Sequence, residues 1–168
     1  MLRESQNNNK GFGLIEIVIA TAVLTGSLIA LISVFLLARN ATELASEKLQ
    51  AGYLLEEGAE ALRFLRDSGW DGNIATLAPA TDYYLSFDPA ASQWAIVALA
   101  PPDIEGLFAR SFRIENVSRD GSANIEAVYN PANDDPETKK VIVTVSWMHK
   151  NQSQAITLEN YLTNLFDN

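Results

Sequence analysis

Glu16 is the only charge in the run from Phe12 to Ala38, FGLIEIVIATAVLTGSLIALISVFLLA. A carboxylate in a lipid-like helix costs on the order of 2.5–3.5 kcal/mol on insertion scales, and such groups usually face a partner or mark a function. Ion pairing with an amine is the chemistry open to it, unless it simply reaches back to the lipid headgroups near Lys10. A second group of oxygens stands at Asn133, Asp134, Asp135 and Glu137, beside Pro131 and Pro136. Asp134, Asp135 and Glu137 are weak calcium candidates, because hard oxygen donors suit that ion but the spacing is not that of a 12-residue EF-hand loop. A solvated loop is the plainer reading. His149 is the one histidine, placed beside a turn and read as a surface residue, and no nucleophile–base pair can be assembled around it. The chain lacks cysteine, so it has no disulfide and no thiolate nucleophile or metal ligand. Walker and dinucleotide fingerprints are absent too. These residues predict neither an enzyme nor a cofactor.

The element that must position Glu16 is the apolar run itself. The 22 residues from Ile17 to Ala38 carry no charge, more than the ~20 needed to cross a hydrocarbon core as helix. A cleaved secretory signal has an apolar core of only about 7–15 residues before a small-residue cut, so this run is too long for one. Arg3 and Lys10 precede it and place that side in the cytoplasm by the positive-inside tendency, with Arg39 weakening the asymmetry. Residues 12–168 hold 10 Lys and Arg against 20 Asp and Glu, an acidic excess that suits an exported soluble part and argues against nucleic acid as a partner.

Residues 39–67 continue as an amphipathic helix without proline. Ala51, Leu54, Leu55, Gly58, Ala61, Leu62 and Leu65 fall on one apolar face, while Glu43, Glu47, Lys48, Glu56, Glu57 and Glu60 occupy the rest. Arg63 and Asp67 stand at i,i+4, the spacing of an ion pair, and Asp67-Ser68-Gly69 carries helix-stop chemistry. Beyond Trp70 the sequence changes to short β-type runs at 83–87, 93–98, 107–117, 125–129, 141–147 and 155–158. The expected architecture is α+β: a long N-terminal helix, its first half transmembrane, packed on an antiparallel sheet of four to six strands. The chain divides into a leader at 1–11, a membrane half at 12–38, an amphipathic half at 39–67 and a β-rich head at 68–168.

Residues 10–16, Lys-Gly-Phe-Gly-Leu-Ile-Glu, resemble the prepilin signal: a basic residue and glycine, then phenylalanine, then glutamate four positions on, opening a long apolar helix. The resemblance to the type IV pilin-like family implies cleavage by a prepilin peptidase between Gly11 and Phe12 and N-methylation of Phe12. It also implies a register role for Glu16, paired with the Phe12 amine of a neighbouring subunit, and packing of Leu14, Ile15, Ile17 and Val18 in a filament core. Glu56–Trp70 looks like the helix end of minor-pilin-like proteins, and the second half of the apolar run lacks the proline of many major pilins, with only Gly26 and Ser33 to soften it. The expectation is a minor pilin or pseudopilin of a type IV pilus, type II secretion or DNA-uptake filament. Other subunits, the peptidase, an inner-membrane assembly platform and lipid would be its partners. The competing expectation is an uncleaved, signal-anchored binding module outside the membrane.

Overall fold

The computed structural model describes residues 13–166. One helix, α1 (Leu14–Ser68), precedes five strands: β1 (Tyr84–Asp88), β2 (Gln93–Val97), β3 (Phe108–Ser118), β4 (Asp134–His149) and β5 (Gln152–Thr163). Contacts divide the chain into two units, 1–45 and 46–168. In the first unit α1 starts at the Gly13 carbonyl, which accepts from the Glu16 and Ile17 N–H groups. Every residue from Gly13 to Glu43 is exposed.

In the second unit the rest of α1 packs on an antiparallel β3-β4-β5 meander, the α+β architecture expected from the sequence. Ala51, Leu55, Gly58, Ala59, Ala61, Leu62 and Leu65 are buried. The stripe differs from expectation in two places, since Ala59 joins it and Leu54 is half-buried. Phe108, Phe112 and Ile114 of β3, Val141, Val143, Val145 and Trp147 of β4 and Leu162 of β5 complete the core. Their two-residue alternation turns one face of each strand toward the helix. Of the two residues at the i,i+4 spacing, Arg63 bonds Glu60 and Asp67 bonds Arg66. At the helix end Gly69 has φ 156°, which an L side chain rarely adopts, and a π-helical turn (Asp71–Ala75) follows the buried Trp70.

The strands form two sheets rather than one. The β1–β2 hairpin stands as a separate pair, bridged to β3 through Tyr83 and Phe112. The run at 125–129 is not a strand. Only Ile125 makes a bridge, to Arg119, because the Asp120 carboxylate closes a turn on the Ser122 and Asn124 N–H groups. Conversely, β4 and β5 run much longer than the apolar runs at 141–147 and 155–158. The charged stretch from Asp134 to Lys140 belongs to β4, where a register shift opposite Asn116 and Val117 accommodates Pro136. Two residues, Lys150 and Asn151, join β4 to β5 with φ of 46° and 65°, as the mirror-image hairpin turn requires.

Gly58 fixes how closely helix and sheet approach. A Cβ there would lie 3.1 Å from both Arg110 Cδ and Val143 Cγ1. Gly58→Val is expected to destabilise the head by about 1–3 kcal/mol through overpacking, read as a lower denaturation midpoint of the detergent-solubilised chain, whereas Gly52→Ala, with open space around it, should not lower the midpoint.

Candidate functional site

The cleavage and methylation positions, Gly11 and Phe12, lie outside the described residues. Glu16 stands in the first turn of α1, the end at which the helix dipole favours a negative charge. Around it Leu14, Ile15, Ile17 and Val18 are between 53% and 82% exposed, so the carboxylate sits in an uncovered apolar surface. Every hydroxyl farther along the apolar run is satisfied within the helix. Thr21 donates to the Ile17 and Val18 carbonyls, Thr25 to Thr21, Ser27 to Val23 and Ser33 to Ile29. A helix in hydrocarbon must meet its polar groups internally, and this segment does so. By length and composition α1 can cross a membrane.

In the head the three acidic candidates are drawn apart. The Tyr129 hydroxyl donates to Asp134, Arg119 bonds Asp135, and Asn164 Nδ2 donates to Glu137. They lie on a strand rather than in a loop, so alternation and the bulge send them to different partners. Among the described residues no three His, Asp or Glu side chains converge on a metal position. Burial pushes the Asp135 carboxyl pKa up, but the Arg119 guanidinium, the Thr138 hydroxyl and the Glu137 N–H outweigh it and leave the group below its ordinary value.

His149 differs from the expected surface residue. Its side chain is 12% exposed and its Nδ1 lies 2.8 Å from Glu47 Oε2, which also accepts from Trp147 Nε1 at 2.9 Å. Glu47, read from the sequence as an outward charge, therefore ties α1 to the end of β4. The signal was present: Glu47 stands four residues before Ala51, one turn along the buried stripe. Arg110 makes a second inward polar link. Its guanidinium bonds the Leu54 carbonyl and Glu57 and lies 5.2 Å from the Trp94 ring centroid. Alternation with Phe108 and Phe112 turns it inward.

Fold and site together define an α+β chain whose first helix is apolar enough for a membrane and whose head ties that helix to strands through buried polar links. Compared with known proteins, the chain matches no family model, no curated protein and no solved structure.

Glu47→Ala strands the Trp147 N–H and should cost about 1–3 kcal/mol, with Glu47→Gln recovering part of it, as read from denaturation midpoints. Because the Asp135 pKa is depressed in the folded state, its contribution is complete above the unfolded value near ~4 and is lost as pH falls through the folded value. Asp135→Asn should therefore lower stability at neutral pH and flatten the acid decline. An unchanged decline in melts from pH 6 to 2 would count against the pair.

Proposed function

We propose that the chain is a structural subunit of a type IV pilin-like filament, a minor pilin or pseudopilin, and not an enzyme. One observation carries the reading: a lone carboxylate, Glu16, in the first turn of a helix whose next 22 residues are exposed and uncharged, a few positions behind Lys10-Gly11-Phe12. Processing between Gly11 and Phe12 leaves the helix on the mature protein and places a free amine about one turn from Glu16. Before assembly the segment is stored in the cytoplasmic membrane with the leader inside and the head outside. In the filament the amine of one subunit pairs with the Glu16 carboxylate of the next. That pairing neutralises two charges in a low-dielectric core and sets the axial register. The internally bonded hydroxyls and the apolar surface suit both lipid and neighbouring helices.

The discriminating measurement is the intact mass of the membrane-extracted chain. It should begin at Phe12, with or without one methyl group. An intact Met1 would favour the uncleaved, signal-anchored module and remove the filament reading. Glu16→Ala should be cleaved normally, fold normally and yet enter sheared filaments poorly. Its normal recovery there would refute the register role, whereas Gly11→Leu should block cleavage.

A further inference from the structure

The two edges of the β3-β4-β5 sheet are treated unequally. The outer edge of β3 is met at four points: Ile104 bridges Phe108, Tyr83 bridges Phe112, the Ala80 N–H bonds the Ile114 carbonyl, and the Glu126 N–H bonds the Ser118 carbonyl. Among the described residues no strand pairs with the outer edge of β5, twelve residues from Gln152 to Thr163. Soluble proteins protect long open edges with proline, lysine or bulges. β5 has neither residue and keeps an unbroken register with β4, and its only charge is Glu159.

The phase of this edge follows from the ladder. Phe112 exchanges backbone bonds with Tyr83, so its partner Val143 turns its own N–H and C=O toward Leu158. The even residues of β5 therefore face β4, and Ser153, Ala155, Thr157, Glu159 and Tyr161 present their backbone groups outward. The Tyr161 N–H is capped by Asn160 Oδ1 at 2.8 Å.

We propose that β5 is a pairing edge for a second copy of this chain, the two strands running antiparallel about a two-fold axis at Thr157. In that register Thr157 meets Thr157, Glu159 meets Ala155 and Tyr161 meets Ser153, so each large side chain faces a small one and no like charges oppose. On the helix-facing side Ile156 meets Leu158 and Gln154 meets Asn160. Apolar lies against apolar and amide against amide, and the half-buried Ile156 and Leu158 gain cover. A Ser153 carbonyl replaces Asn160 as acceptor for Tyr161. Because the β3 edge is already met at those four points, the assembly closes as a six-stranded sheet in a dimer and does not propagate. This pairing does not depend on the filament role proposed above.

The chain contains no cysteine, so single cysteines report the register cleanly. Directly opposed, hydrogen-bonded residues stand ~5.5 Å apart at Cα, within disulfide reach. Two copies of Ser153, each facing Tyr161, would lie roughly 26 Å apart. Full-length Thr157→Cys in detergent under mild oxidation should form a disulfide-linked dimer, while Ser153→Cys should remain unlinked. Thr157→Lys, which opposes two ammonium groups at the axis without touching the β4 ladder, should convert the dimer to monomer in light scattering while leaving the denaturation midpoint of the monomer in place. Equal linking of the two cysteine variants, or a wild-type chain that stays monomeric at tens of micromolar, would overturn the pairing.

Discussion

The close approach of α1 to the sheet is the constraint on which the head depends. Ala51, Gly58, Ala59 and Ala61 leave room at the seam, and the bulk that fills it comes from Leu55, Leu62 and Leu65 on the helix and from Phe108, Phe112 and the β4 valines opposite. A close-packed interior of this kind tolerates neither added methyl groups at Gly58 nor the loss of partners for the polar atoms it encloses. Arg110 and Glu47 lie at the margins of the same seam. Each crosses it with a charged hydrogen bond, Arg110 from β3 to α1 and Glu47 from α1 to β4. Such bonds contribute little net stability compared with an apolar seam, but they specify one alignment of helix on sheet, since sliding the helix by a turn would strand each buried group.

The N-terminal unit obeys the opposite rule. From Gly13 to Ala38 every residue is exposed, yet the hydroxyls are returned to the helix's own backbone and the one charge of that stretch, Glu16, stands in the first turn. The same helix is thus written for two surroundings. Its first half suits a medium that offers no hydrogen bonds, and its second half suits a water-covered protein core.

Much of this was legible because periodicity reports burial. The 51–65 stripe, the boundary at Gly69 and the β-branched run of β4 each declare one face by spacing alone. What escaped was polar and nonlocal. Asp134 to Lys140 reads as a loop by composition, and only pairing with both neighbours makes it strand. The absence of a strand at 125–129 goes with a turn organised by one side chain, Asp120, and β1–β2 meets the larger sheet through a bridge at Tyr83. Glu47 and Arg110 are masked by their charge, although both occupy inward places in their own repeats.

The bond between Glu47 and Trp147 spans 100 residues of sequence. The helix face made first during synthesis therefore waits for strands made last. Until β4 and β5 emerge, Leu55, Leu62 and Leu65 have no surface to cover them, and the two-residue turn at Lys150 and Asn151 is the local event that can assemble those strands before the helix docks. The order of elements along the chain leaves this helix dependent, for the whole interval of its biogenesis, on something other than its own head.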